Sequence, residues 1–375
     1  MLNLLYNFLF IYFLIYLTLK TNNHYFKFDN LIFIFSLFFH LFLTAIYIYL
    51  FPKGDWDTYI WLSSFGIEEL TVHNFFSSHF VKTFIVTLQK FLFLSQYSVI
   101  LIFSLISFFG IAIFVLNLIK LGLEKKIGSW LLFIPGIHFW TGIPGKDCLI
   151  LFSLSCFFYF HIDRKIYYSL LFILIVTLIR PHIGAVFLLS IAITEFIIIK
   201  GIYKKLIVFL IACVVIYGLL HYPRTSGFFM HRSEADISDN IIYPMLKYLN
   251  LLSIKYSLAS SSYEGGNIIS NIFSYILFPI DFIYKPNSLF LNLSILVETL
   301  TLILISSVIL RNKNIVGVDI KLIYFLSICV LIYCLILPQV FFNYGLNIRQ
   351  KWMIIPFIIY LSFLFKNLFV KINKI

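Results

Sequence analysis

Two carboxylates, Asp55 and Asp57, stand two residues apart in the stretch FPKGDWDTYIWLS, residues 51–63, with Tyr59 just beyond them. On one helix they would point about 200° apart; on extended backbone they would share a side. Pro52 and Gly54 precede them, so a helix starting here would use Asp55 as its N-cap and leave Asp57 at the positive end of the dipole. Either acid, not needed for capping, is a candidate general base for a hydroxyl. The pair could also meet a divalent cation, but two carboxylates alone specify none, and no cofactor is required by the pattern. A second set of residues is cationic. Lys146 and Asp147 close the turn TGIPGKD (residues 141–147), Arg180 and His182 flank a proline in RPH, and Arg349 lies in NYGLNIRQKW (residues 343–352). Arg224 and Arg232 belong to a long polar segment between them. Cations beside helix N-termini bind anions, and arginine can grip a phosphate with two parallel N–H bonds.

The elements that must position these residues are apolar. Of 375 residues, 61% are hydrophobic and 12% charged, about half the charge of a soluble domain. Apolar runs recur near 2–19, 30–51, 97–119, 129–143, 148–162, 166–180, 182–199, 206–222, 287–310, 322–338 and 352–366. The expectation is an all-α polytopic membrane protein with about eleven transmembrane helices, one integral domain over residues 1–375. The first run lacks a basic flank and a small-residue cleavage site, so it reads as a retained span. With the N-terminus outside and the C-terminus inside, the inner loops hold 16 of the 28 Lys and Arg but only four acids, and the outer side holds 12 with ten acids. That bias follows the positive-inside rule and replaces nucleic acid as the explanation of a net charge of +12. Two outer loops are long, about 52–96 and 222–286, and their apolar stretches 80–94 and 268–284 suit helices lying in the interface. The five cysteines lie in or at the edge of apolar runs without a CxxC pair and read as small buried side chains.

The middle spans are short. Residues 128–142, 147–162, 166–179 and 183–200 alternate with the turns that carry Lys146, Asp147, Arg180 and His182. Fifteen helical residues cover only about 22 Å, so these turns are expected below the outer membrane surface, in a wet recess. Pro181 keeps Arg180 out of helix and itself suits a first helical turn. Asp147 is expected to cap the following helix, or to pair with Lys146. Glu298, inside ILVETLTLI, is either an intramembrane functional acid or a residue facing the bundle.

FIPGIHFWTGIPGKD, IRPHIG, SSSYEGGNIISNIFSYILFPIDF and NYGLNIRQKW, in this order, with a Gly-Asp-x-x-x-Tyr pattern at GDWDTY, resemble bacterial polytopic proteins of surface-polysaccharide synthesis. Similar proteins are the Wzy-type repeat-unit polymerases of O-antigen and capsule and, more distantly, multispan glycosyltransferases of the GT-C class. The resemblance implies polymerisation of polyprenyl-pyrophosphate-linked oligosaccharides at the outer face of the bacterial cytoplasmic membrane. It implies an essential acid in the first large outer loop, matching Asp55, with Asp57 as the departure. Pyrophosphate-holding cations then fall by role on Arg180, Arg349, Arg224 and Arg232, with Lys146 and His182 beside them, and Asp147, Glu298 and Tyr59 in support. Implied partners are the lipid-linked glycans, the bilayer and a chain-length regulator. Two alternatives remain open: transfer of a single sugar from a polyprenyl-phosphate donor, and translocation of a lipid-linked oligosaccharide.

Overall fold

The computed structural model describes residues 2–50, 56–57, 60, 78–201, 203, 205–206, 209–210, 214, 300–301, 303–309, 311–312, 319–336 and 344–372. Among these residues the secondary structure is helical, with no strand. The chain divides into two compact units, one made of residues 1–181, 300–317 and 370–375, the other of 182–299 and 318–369.

The first unit opens with α1 (Leu2–Thr21), which passes through a π-helical turn, Asn22–Phe26, to α2 (Asn30–Leu50). The turn is closed by Asn22. Its side-chain amide donates to Phe28 O and Asn30 Oδ1, and its carbonyl oxygen accepts from Phe28 N. Lys27 there takes a left-handed backbone, φ 54°. Asp29 Oδ1 accepts from the N–H groups of Leu31 and Ile32, at 2.9 and 3.2 Å, and so starts α2. α3 (Ser78–Phe91) buries Val81, Ile85 and Leu88 at i, i+4 and i+7 and leaves Thr87 and Lys90 exposed. It forms a helix where an amphipathic segment was expected.

α4 (Gln96–Lys120) is the central helix of this unit. Ser95 caps it by accepting from Ser98 N, and Asn7 of α1 reaches over to accept from Ser95 N and Ser98 Oγ. Phe103, Phe108, Ile111, Phe114 and Val115 are fully buried. Gly110 lets α7 (Lys146–Ile162) approach closely: a Cβ added at Gly110 would lie 2.9 Å from the Phe152 Cα. α7 folds back as a hairpin onto α8 (Ile166–Ile179). At the hairpin end Lys120 pairs with Asp163 at 2.7 Å and lies over the Tyr159 ring.

The expected span over 129–143 is not one helix. A four-residue turn, α5 (Lys125–Gly128), runs into a 3-10 helix, Ser129–Phe133, and only then into α6 (Pro135–Thr141). The break falls at Ile134, which is extended at φ −65°, ψ 107°. Pro135 forces it, because proline disfavours helical backbone in the residue before it.

In the second unit, α9 (Pro181–Ile198), α10 (Ile320–Ile336) and α11 (Tyr344–Ile372) contribute a buried aromatic contact in which Phe187 lies 4.8 Å from Phe357 and 6.4 Å from Phe325 between ring centroids. Glu195 and Lys321 form an ion pair. α11 is continuous across Pro356 and starts at Tyr344, earlier than the span expected at 352.

Among the described residues α2 and α4 are long and apolar enough to cross a membrane, and residues 166–179, 183–198, 320–335 and 353–368 form shorter apolar helices. Leu31, Phe35, Phe38 and Phe42 of α2 are each about 60% exposed, and Tyr167 and Leu174 of α8 are exposed as well. Exposed apolar ridges of this kind mark contact with hydrocarbon or with another apolar surface. The cysteines match their expected role as far as they are described: Cys148, Cys156, Cys329 and Cys334 are buried and in no disulfide.

Candidate functional site

At one end of the α7–α8 hairpin the structure brings Arg180 to Asp147. The backbone of Gly145 precedes the first helical residue of α7, Lys146, and Asp147 follows in the first turn. The expectation that Asp147 is the N-cap is therefore corrected: Gly145 holds that position. The Asp147 carboxylate instead faces Arg180: Arg180 Nη2 donates to Asp147 Oδ1 at 2.6 Å. The two side chains are only 12% and 16% exposed, so the pair is largely withdrawn from solvent screening. Asp147 thus has an arginine 33 positions away as its partner, which neither expectation named.

Arg180 holds this place for the local reason the sequence offers. It ends α8 with φ −141°, ψ 88°, and its N–H still donates to Val176 O at 2.7 Å. α9 then starts at Pro181. Arg180 is thus a corner residue between two helices, its guanidinium turned to the N-terminal turn of α7. A carboxylate in that first turn is favoured by the helix dipole, and the guanidinium brings the compensating charge. Chemically, the corner offers a planar cation with five donors and helix N–H groups nearby, a set that suits an oxyanion able to compete with Asp147.

The other expected site residues fall elsewhere. Trp56 and Asp57 are helical and half-buried. His182 is the second residue of α9 in the second unit. Arg349 was expected just ahead of a span; it lies inside α11, after Tyr344 has already begun the helix. Its segment is helical because NYGLNIRQKW has no proline or β-branched run to stop it. Asp55, Tyr59, Arg224, Arg232 and Glu298 lie outside the described residues, as do the apolar stretch 268–284 and Cys213.

Sequence reasoning missed a buried polar array in the first unit. His40 of α2 and His138 of α6 are fully buried, with their Nδ1 atoms 2.8 Å apart. His40 Nε2 lies 2.8 Å from Ser104 O, and His138 Nε2 lies 2.7 Å from Leu132 O. Thr44 Oγ1 donates to His40 O and sits 3.3 Å from Ser104 Oγ. Ser107 and Thr141 share a hydroxyl contact of 2.6 Å, and Cys148 Sγ donates to Phe103 O. The break at Ile134 explains the array: it turns α6 so that His138 points at α2. Only the Pro135 signal hinted at it. No group of three or more metal-ligating side chains occurs among the described residues. Replacing His138 by Ala would remove the ring bond and open a cavity, and the detergent-solubilised protein should lose about 2–4 kcal/mol, read as a lower melting temperature. Unchanged melting would mean that the histidine contact contributes nothing.

No protein-family model matches the chain, and neither a curated protein nor a solved structure is significantly similar to it.

Proposed function

We propose that the chain is a multispan membrane glycosyltransferase that polymerises polyprenyl-pyrophosphate-linked oligosaccharides at the outer face of the bacterial cytoplasmic membrane. The topology proposed with it has about eleven spans, the N-terminus out and the C-terminus in. The observation that carries the reading is the Arg180–Asp147 corner: a mostly buried arginine beside a helix start, within a chain that is 61% hydrophobic. In the proposed reaction an acceptor hydroxyl attacks the anomeric carbon of the donor sugar. The bond from that carbon to the pyrophosphate oxygen breaks, and its electron pair leaves with the polyprenyl pyrophosphate. Asp55 or Asp57 takes the hydroxyl proton. Arg180, with Lys146 and Arg349 in the same role, stabilises the charge that grows on the leaving group.

The test is incubation of purified protein with lipid-linked repeats. A ladder of polymer lengths is expected. Asp57→Asn should lower the rate about 10²-fold or more if Asp57 is the base, and Asp55→Asn should do so if Asp55 is. Full activity in both variants would place the base elsewhere. One added sugar in place of a ladder would favour the single-transfer reading. That reading has one observation in its favour: Asp147 already offsets the charge of Arg180, which suits a monophosphate donor better than a pyrophosphate.

A further inference from the structure

A groove of about 590 Å³ runs along the outside of α2, lined by Leu31, Phe35, Phe38 and Phe42 on that helix and by Trp130 and Phe133 from the 3-10 helix. These four α2 residues form one ridge at i, i+4, i+7 and i+11. The ridge is about 16 Å long, close to the hydrocarbon depth of one leaflet, about half of 30 Å. The lining is apolar throughout. Among the described residues of these two segments, the charge lies at one end. Lys27 is four residues before Leu31, in the non-helical link ahead of α2, Lys126 is four residues before Trp130, and Lys125 donates a hydrogen bond to the Lys27 carbonyl oxygen, which ties the two segments together. All three lysine residues are exposed, and so is Trp130. Two acids share the rim: Asp29, whose Oδ1 is occupied by the N–H groups of Leu31 and Ile32, and the exposed Glu124.

From this arrangement we infer that the groove is a binding site for an anionic phospholipid of the leaflet on the lysine-rich side. Its acyl chain lies along the Leu31–Phe42 ridge, and its headgroup phosphate meets Lys27, Lys125 and Lys126. Charge complementarity selects the occupant: an apolar track with a cationic end matches one tail and one anionic head, whereas a zwitterionic lipid gains less from the lysines. Trp130 sits at the junction, where an aromatic ring with a polar N–H is favoured. The inference rests on the membrane-spanning part of the functional reading and is independent of the polymerase activity.

Native mass spectrometry of the full chain in detergent, with phosphatidylglycerol or phosphatidylcholine added, tests it. Phosphatidylglycerol should be retained in preference, and each lysine changed to glutamine should lower its retention about fivefold. Lys126→Gln is the first variant, because it leaves the Lys125–Lys27 hydrogen bond in place and so spares the fold. Leu31→Trp, which fills the groove and keeps the charges, should lower retention of both lipids. Equal retention of the two lipids by the wild-type chain, or an unchanged preference in Lys126→Gln, overturns the inference. Polyprenyl phosphate displacing phosphatidylglycerol at equal concentration overturns it in favour of an isoprenoid occupant. A chain that stays soluble without detergent would overturn the membrane reading as well, whereas a chain without polymerase activity that still selects phosphatidylglycerol leaves this site standing.

Discussion

Arg180→Ala should abolish polymer growth while the protein still inserts and purifies as the wild type does. Two effects are superimposed in that variant and have different sizes. Loss of a cation that meets growing charge on a leaving group costs about 10²–10³ in rate. Loss of the ion-pair partner leaves the carboxylate of Asp147, 16% exposed, without its guanidinium. The structural penalty for breaking a fully buried pair is about 3–5 kcal/mol, and this pair, partly reached by water, stands below that range. The two effects separate in a second variant. Asp147→Ala breaks the same pair but keeps the arginine, so a purely structural role predicts equal defects in Arg180→Ala and Asp147→Ala. An anion-binding role predicts activity only in the second. The double variant Arg180→Ala/Asp147→Ala should then recover melting temperature and remain inactive. Arg180→Lys should restore part of the rate, since a lysine supplies the charge without the two-pronged geometry. Polymer of normal length from Arg180→Ala would end the assignment.

The second large effect is expected at Gly110. In an ordinary helix, Gly→Ala gains up to about 1 kcal/mol. At Gly110 the added Cβ would lie 2.9 Å from Phe152 Cα and 3.0 Å from Phe152 N, both backbone atoms that cannot rotate away. α4 and α7 must therefore separate, and the overpacking cost of about 1–3 kcal/mol exceeds the propensity gain. Gly110→Leu should lie at the upper end of that range or beyond. Its melting temperature in detergent should fall well below that of the wild type. Gly201→Ala is the control, because a Cβ there has nothing within 4 Å. Equal melting of Gly110→Leu and the wild type would show that the α4–α7 approach is not as close as described.

Local features were legible where one residue decides the backbone. Pro181 placed both the end of α8 and the start of α9, and the exclusion of Arg180 from helix followed from the proline after it. Uniformly apolar runs located α2, α4, α7 and α8. The same proline rule was available at Ile134 but was outweighed by the apolar continuity of residues 129–143, so the break went unread. Pairings across the fold were not legible. Asp147 had Lys146 beside it in sequence, yet the hairpin of α7 and α8 brings Arg180 to it. His40 and His138 are 98 positions apart, and each stands as a lone histidine in an apolar run. Which polar residues of two helices face each other depends on helix rotation, and low amphipathicity in these segments leaves rotation unspecified by sequence.

That histidine contact has a consequence in the counting of protons. Two neutral imidazoles bring two protons to four ring nitrogens. Both Nε2 atoms face carbonyl oxygens at 2.7–2.8 Å, which calls for a proton on each. Two lone pairs would then meet head-on at the Nδ1–Nδ1 contact of 2.8 Å. Moving one proton inward relieves that contact and sets a nitrogen lone pair against a carbonyl oxygen instead. A third proton satisfies every contact and introduces a positive charge, and α2, α4 and α6 carry no carboxylate to offset it. Two protons thus leave one repulsive contact, and three leave a charge, so the seam between α2 and α6 is held by whichever costs less.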